Sequence, residues 1–144
     1  MKTVKELLAT KGDKVWSVTP QTSVCEALKL MAEKNIGALV VIEQKKLVGI
    51  FSERDYAREA GRAGKVSEDA TVGDLMSKRV LYVEPGTRLE ECMALMTQEH
   101  VRHLPVLVRK KVIGIVTIGD VVKRIITEQN IRIDKMDRYI TRGI

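Results

Sequence analysis

Two short segments of the sequence place a hydroxyl group three residues before a carboxylate. Ser52 precedes Asp55 in the first segment, and Thr117 precedes Asp120 in the second. In both, a short β-branched apolar run ends just before the hydroxyl, and a stretch with helical spacing follows. Each pair is therefore predicted to lie where a strand turns into a helix, and that position allows two interpretations.

The first interpretation is structural. In a capping box, a Ser or Thr side chain accepts a hydrogen bond from the third helical amide, and an acidic side chain at that third position bonds back to the cap. The second interpretation is ligand binding. The free amides and positive dipole end at a helix start suit a phosphate, and the hydroxyl adds a donor. A carboxylate beside them accepts ribose hydroxyls. The residues leave both interpretations open.

The two segments differ in charge. Arg54 lies between Ser52 and Asp55 and can form charge-assisted hydrogen bonds with a phosphate, whereas Gly119 holds the matching position in the second segment. We therefore expect two sites that bind anions unequally.

Both segments belong to an internal repeat. Shifting the chain by 65 residues aligns Val18–Asp55 with Val83–Asp120 without a gap, and 13 of the 38 pairs are identical. Upstream, Thr3–Leu8 matches Thr71–Met76 at a shift of 68, so the first copy has three extra residues, which we place near Gly12. Two copies are too few for a solenoid and favour a closed pseudo-two-fold pair.

Each copy shows the same pattern of elements. Ser23 and Thr87 are predicted to cap an amphipathic helix, and two short buried strands then form a hairpin. The predicted strands are Ala38–Ile42, Leu47–Phe51, Leu104–Val108 and Val112–Val116. The second helices are predicted over Asp55–Ala60 and Asp120–Gln129, and a further amphipathic helix over Ile131–Ile140.

Composition limits the class of protein. The chain has 144 residues, of which 44% are apolar, 31% charged and 3% aromatic, as expected for one α/β module with an aliphatic core. No apolar run approaches the ~20 residues of a membrane span, and no targeting leader is evident. Cys25 and Cys92 form no CxxC pair, which favours a reducing cytoplasm.

Charge and chemistry-bearing groups narrow the function. The net charge of +6 indicates a general preference for anions. Dense basic runs interleaved with stacking aromatics, which favour sequence-independent nucleic-acid binding, are missing from the sequence. No nucleophile–base pair is visible, so catalysis is not expected. His100 and His103 have no evident third ligand, and we predict no metal site.

At this point the chain resembles a known family. The gapless repeat, the paired Gly-x-x-Ser/Thr-x-x-Asp junctions and the segment Arg102-His103-Leu104-Pro105-Val106 resemble a tandem cystathionine-β-synthase (CBS) domain pair, from Thr3 to about Thr127. The resemblance implies two β-α-β-β-α repeats, assigned to residues 1–66 and 67–144, with a helix at the C-terminus. It also implies two clefts between the repeats that bind adenosyl compounds.

The resemblance implies a residue set for each cleft. The first combines one junction with a wall from the other repeat: Ser52, Arg54, Asp55, Met76, Ser77, Val101, Arg102 and His103. The second is built in the same way from Thr117, Gly119, Asp120, Leu8, Ala9, Ile36, Gly37 and Ala38. Because Gly37 has no side chain, a purine could approach its backbone closely. The cations of the first cleft are expected to attract the more highly charged phosphate group, and the second cleft lacks them.

The resulting hypothesis is a regulatory adenine-nucleotide-binding module without catalysis. AMP, ATP or NAD is expected in preference to S-adenosylmethionine. A homodimer is expected through helices, with contributions from Leu28, Met31, Met93 and Ile133–Ile140. The module is expected to act in the cytoplasm on a separate, unidentified effector protein. The alternative is a basic module that binds nucleic acid or protein, whose affinity would fall steeply with salt.

Overall fold

The structure of the chain is a computed structural model that describes residues 2–128, 139 and 143. Its helices are α1 (Val4–Lys11), α2 (Val24–Lys34), α3 (Glu53–Ala63), α4 (Val72–Leu75), α5 (Leu89–Glu99) and α6 (Ile118–Glu128). Its strands are β1 (Ser17–Val18), β2 (Ala38–Glu43), β3 (Lys46–Ser52), β4 (His103–Val108) and β5 (Lys111–Thr117). The predicted mixed α/β class is confirmed, and the tail helix predicted over Ile131–Ile140 lies outside the described residues.

The internal repeat is reproduced in the pairing of the strands. β2 and β3 form an antiparallel hairpin that pairs Ala38 with Ser52, and β4 and β5 form another that pairs His103 with Thr117. Each hairpin has a bulge at the equivalent place. β1 lies parallel to β2, and an isolated parallel bridge from Val83 occupies the same position beside β4. In each copy the junction therefore lies at the same position relative to its hairpin.

Two hydrophobic cores lie side by side, and the helix that begins each copy (its leading helix) packs in the core of the other copy. α4 contributes Val72 to the core of the first copy, whereas α1 contributes Val4 and Leu7 to the core of the second. Matching backbone hydrogen bonds hold both helices in place: the Val72 amide donates to Thr22 at 2.8 Å, and the Val4 amide donates to Thr87 at 2.9 Å. This exchange interlocks the copies, and the division at residues 66 and 67 stays a prediction.

Two expectations about individual residues are wrong. Thr87 does not cap α5, because its hydroxyl accepts a hydrogen bond from the Glu84 amide and the N-cap residue is Arg88. Met31 was expected at a dimer contact, but it is 3% exposed in the first core, which removes it from the surface. Ser23, in contrast, accepts the hydrogen bond of the Glu26 amide and caps α2 as predicted.

The helices of the described residues are short. In residues 2–128, 139 and 143 the structure contains no helix whose length and apolar character would carry it across a membrane.

Close packing at Gly49 generates a first prediction. A Cβ added there would lie 2.6 Å from Met76 Sδ and 3.0 Å from the Ser77 carbonyl oxygen, and the Ser77 backbone is fixed by two hydrogen bonds to Ile50. Gly49→Ala should therefore destabilise the protein by about 1–3 kcal/mol in urea unfolding, as overpacking does.

Gly61→Ala is the matched control. Gly61 is exposed in α3, and nothing lies within 4 Å of an added Cβ, so this variant should gain about 0.5–1 kcal/mol from helix propensity. A Gly49→Ala variant as stable as the parent protein would contradict the packing described for β3 and Met76.

Candidate functional site

The first junction is a complete capping box at the start of α3. The Ser52 amide donates to Asp55 Oδ2 at 2.8 Å, and the Asp55 amide donates to Ser52 Oγ at 3.3 Å. The structural interpretation is therefore confirmed. The second carboxylate oxygen has another role, because Asp55 Oδ1 accepts a hydrogen bond from Ser77 Oγ at 3.0 Å. Capping fixes one oxygen and leaves the other facing the segment after α4.

A cavity of about 530 Å³ opens beside Asp55. Its walls come from the start of α3 and from residues 99–103 of the other copy. Seven of the eight residues predicted for the first cleft line this cavity: Ser52, Arg54, Asp55, Ser77, Val101, Arg102 and His103. The eighth, Met76, packs against the first core and over Gly49. The structure thus assembles the first predicted set across the two copies.

Gly37 was assigned to the second cleft, and the structure places it in the wall of the first cavity. It immediately precedes β2, and a Cβ added to it would lie 3.5 Å from two ring atoms of His103, which begins β4. Its carbonyl oxygen accepts the Glu53 amide at 3.0 Å. Contact between the starts of β2 and β4 brings Gly37 to this side, and no feature of the sequence near Gly37 reports that contact.

The cavity is lined by four arginines, two of which sequence reasoning missed. The predicted pair is Arg54 and Arg102, and the structure adds Arg58 and Arg79. Arg58 could have been found, since it follows Arg54 by four residues and so shares its helix face. Arg79 forms an ion pair with Glu99 at 3.1 Å.

The four arginines differ in how freely they could reach a ligand. Arg54 donates to the His100 carbonyl oxygen at 2.6 Å. Within the described part of the chain, Arg58 and Arg102 form no ion pair or side-chain hydrogen bond, and Arg102 is exposed. These two guanidinium groups are therefore available to an anion in the cavity.

His103 is a weaker cation than the sequence suggested. Burial of the ring lowers its pKa below the ordinary value of 6.5, and the nearby charges of Lys11 and Arg102 lower it further. The carboxylates of Glu53 and Asp120 act in the opposite direction without reversing the shift. At neutral pH the ring is uncharged, so it supplies the cavity with a wall and at most one N–H donor.

The second junction forms the same cap, but a different side chain contacts its carboxylate. The Thr117 amide donates to Asp120 Oδ2 at 3.0 Å, and the Asp120 amide donates to Thr117 Oγ1 at 3.1 Å. Lys11 Nζ lies 2.5 Å from the same carboxylate oxygen and 2.8 Å from the carbonyl oxygen of Ile115. This junction lacks the cations of the first cleft, as expected, but it holds Lys11, a cation that the predicted residue set did not include.

The Lys11 contact changes the acidity of Asp120. Burial on its own would raise the pKa of the carboxyl group. The hydrogen bonds and charge of Lys11, with the bonds from Thr117, outweigh burial and lower the pKa below its ordinary value of 3.8. Lys11 could have been found from the sequence, because the shift of 68 residues aligns it with Arg79, another basic residue.

The rest of the second predicted set is dispersed. Leu8 is 8% exposed and lies against Gly114, and with Ala9 it borders a separate surface cavity that Asp120 does not line. Ala38 is buried, and Ile36 packs against the first core. Thr117, the exposed Gly119 and Asp120 lie together at this junction.

The other groups that could carry chemistry include the buried thiol of Cys92 and the potential metal ligands. Cys92 is buried, and its burial together with the Glu91 charge raises its pKa to about 11, which keeps the thiol protonated. Among the residues whose positions are described, no group of three or more His, Cys, Asp or Glu side chains could hold a metal ion.

Comparison with known proteins gives matches over most of the chain. The sequence model of the CBS domain matches residues 4–61 and 72–127. The chain is 37% identical to the mitochondrial CBS domain-containing protein CBSX3 of Arabidopsis thaliana, over 98% of this chain and 73% of that protein.

Two solved structures show the same architecture. A putative signal-transduction protein with CBS domains from Burkholderia ambifaria has a TM-score of 0.86 at 44% identity, covering 92% of this chain and all of the other. CBSX2 in complex with AMP has a TM-score of 0.73 at 33% identity, covering 90% of this chain and 99% of the other.

The half-buried imidazole of His103 generates a second prediction. The unfolded chain protonates His103 near pH ~6.5, whereas the folded chain resists protonation to a lower pH. The unfolded state therefore binds more protons as the pH falls, and the free energy of unfolding should decrease from about pH 7.5 to about pH 5. His103→Gln should remove part of this decrease in urea titrations over that range. Equal pH dependence in the variant and the parent would contradict the description of a half-buried, neutral ring.

Proposed function

We propose that this chain, which belongs to the CBS domain family, is a regulatory module that binds an adenine nucleotide at Asp55 and does not transform it. One observation carries the proposal. The Asp55 carboxylate is held by the cap through one oxygen and by the Ser77 hydroxyl through the other, and it lines a cavity of about 530 Å³ together with two arginines that have no side-chain partner among the described residues. That volume lies within the ~300–1,000 Å³ of small-molecule sites. The AMP complex of CBSX2, a protein of the same architecture, supports the proposal.

The cavity offers a separate partner for each part of a nucleotide. Asp55 Oδ1 accepts ribose hydroxyls, and the Ser77 hydroxyl beside it can rotate, since it both donates and accepts. Arg58 and Arg102 neutralise phosphate, and the amides at the start of α3 add a favourable dipole. The backbone at Gly37 and the apolar side chain of Val101 provide a surface for adenine. AMP, ATP and NAD are the proposed ligands, in preference to S-adenosylmethionine.

The proposed output is a change in how the two copies are arranged. The cavity takes Asp55 from the first copy and Arg102 and His103 from the second, so a bound nucleotide stabilises the arrangement that brings them together. Such a ligand shifts an equilibrium only by its difference in affinity for the two arrangements. An effector protein that contacts both copies would detect this shift. The charged and neutral groups of the cavity serve binding, and no turnover of the nucleotide is proposed.

Assembly and location complete the proposal. Leu28 and Met93, both half-buried, are proposed to contribute to a homodimer through helix faces. Ile118 and Val122 project apolar surface from α6, with 39% and 40% of each residue exposed. The two cysteines are unpaired, which fits a reducing compartment, and the cytoplasm is proposed.

The third prediction tests the role of Asp55. AMP at about 100 times its dissociation constant should add roughly 2.7 kcal/mol of stability and raise the melting temperature by several degrees. Asp55→Asn should abolish this shift, because an amide neither balances the cationic cavity nor accepts hydrogen bonds at both oxygen positions. Differential scanning fluorimetry and calorimetric titration measure both effects.

Asp74→Asn is the matched control for Asp55→Asn. Asp74 occupies the same third position in the capping box of α4 and accepts the Thr71 amide at 2.9 Å, but it lines an adjoining cavity of about 370 Å³ and not the 530 Å³ cavity proposed for the nucleotide. This variant should lose cap stability and still respond to AMP. If Asp55→Asn binds AMP as the parent does, the assignment of the site is wrong.

The fourth prediction concerns the phosphate. The double variant Arg58→Gln/Arg102→Gln removes the two cavity arginines that have no side-chain partner in the part of the chain that the structure describes. Each lost charge-assisted hydrogen bond costs about 1.5–3 kcal/mol, so AMP affinity should fall at least about tenfold and ATP affinity further. Adenosine affinity should change little, since adenosine carries no phosphate. Equal losses for adenosine and ATP would place the phosphate elsewhere.

A further inference from the structure

The two copies satisfy equivalent acceptors with different donors. In the first copy, the Ser77 amide donates to the Ile50 carbonyl oxygen at 2.9 Å, and the Ser77 hydroxyl donates to Asp55 at 3.0 Å. Ile115 and Asp120 are the matching acceptors in the second copy, 65 residues later. There a single group, the Lys11 ammonium, donates to both, at 2.8 Å and 2.5 Å. One charged side chain thus replaces a backbone amide and a hydroxyl.

A difference in helix length explains the replacement. α4 ends at Leu75 and the next residue is extended, with φ −61° and ψ 153°, so Ser77 can pair with β3. α1 is twice as long, with eight residues against four, and keeps Ala9, the counterpart of Ser77, inside the helix. Alanine is the strongest helix former and has no hydroxyl to donate. The longer helix ends at Lys11, whose side chain reaches the acceptors that Ala9 leaves unsatisfied.

The two donors differ in whether they could also accept a hydrogen bond from a ribose hydroxyl. A hydroxyl such as that of Ser77 can turn from donor to acceptor, whereas the Lys11 ammonium can only donate. Asp120 Oδ2 already accepts two hydrogen bonds, from Thr117 and from Lys11. The side chains of Lys11 and Asp120 are only 27% and 23% exposed, so water screens their attraction incompletely. A neutral ribose hydroxyl that displaced the ammonium would break this ion pair without replacing its charge.

α1 is also held over the junction by contacts of two residues that precede Lys11. Thr10 accepts a hydrogen bond from Arg124 of α6 at 3.4 Å. Leu8 fills the space above Gly114, where an added Cβ would lie 2.8 Å from the leucine Cδ1. The lowered pKa of Asp120 is consistent with a carboxylate that stays ionised and paired. Lys11 is therefore part of a fixed helix end.

We propose that Lys11 is an internal occupant of the Asp120 carboxylate that keeps the second junction closed to ribose, so that each chain binds one nucleotide, at Asp55. The inference rests on the proposed function, because it assumes that Asp55 is a ribose site and that Asp120 would otherwise be one. Lys11 would thus determine which of the two junctions binds the nucleotide.

Calorimetric titration with AMP tests the inference through the stoichiometry of binding. The parent protein should bind one AMP per chain, and Lys11→Met should bind two. The affinity for AMP at the Asp120 junction should be at least tenfold higher in Lys11→Met than in the parent. The additional event should disappear in Lys11→Met/Asp120→Asn. Lys11→Arg, which keeps the cation, should still bind one. Lys5→Met is the matched control, because it removes the same charge from an exposed position of α1 and should also bind one.

The outcomes separate this inference from the proposed function. If the parent and Lys11→Met each bind one AMP, the proposed role of Lys11 is overturned and the Asp55 site stands. Two equal sites in the parent would have the same consequence. No binding to the parent would overturn the proposed function. In that case, an Asp120-dependent site in Lys11→Met would still support the inference, and its absence would overturn both.

A measurement without nucleotide shows whether the contact exists in solution. The Asp120 carboxyl titration, followed by carbon-13 NMR, should move to higher pH in Lys11→Met and stay in place in Lys5→Met. An unchanged titration in Lys11→Met would overturn the inference, because it would mean that the ammonium does not occupy the carboxylate. If Lys11→Met fails to fold, both experiments can be repeated with Lys11→Gln, whose side chain is neutral and polar.

Discussion

The structure depends on a carboxylate that must first satisfy a helix end, and whose further contacts are set by the helix that packs beside it. At both junctions one oxygen of the aspartate accepts the amide of the capping residue, at 2.8 Å and 3.0 Å. This bond fixes the rotamer of the side chain and the direction of the other oxygen. Capping and ligand binding, which seemed to be alternatives, are consistent uses of the same group, and the cap preorganises the proposed site. What the carboxylate can bind is then decided by its neighbour.

The exchange of leading helices supplies that neighbour. α4 packs in the first core and brings Ser77 to Asp55, while α1 packs in the second core and brings Lys11 to Asp120. A nearly symmetrical fold therefore carries two chemically different junctions. The first has a neutral, rotatable partner and an open cavity, and the second has a partly shielded ion pair. In the proposed function, this asymmetry lets a duplicated module respond to one ligand without a second site that competes for it.

Much of this architecture could be predicted from the sequence because it is encoded locally. The gapless repeat, the two hairpins and the junctions with Ser52 and Thr117 follow from short patterns that the structure confirms. The errors at the candidate site concern residues whose position depends on contacts between the copies. Gly37 lies in the first cavity because β2 and β4 begin side by side, and Lys11 reaches Asp120 across 109 residues. Neither contact leaves a mark on its own segment, and in the case of Lys11 only alignment of the two copies provides a clue.

The most direct test of the central claim is a crystal structure of the full chain grown with AMP. The account predicts one nucleotide per chain, with a ribose hydroxyl at ~2.6–3.2 Å from Asp55 Oδ1, the phosphate beside Arg58 and Arg102, and Lys11 still bound to Asp120. A nucleotide whose ribose is bound by Asp120, with Lys11 displaced and the cavity beside Asp55 empty, would contradict it.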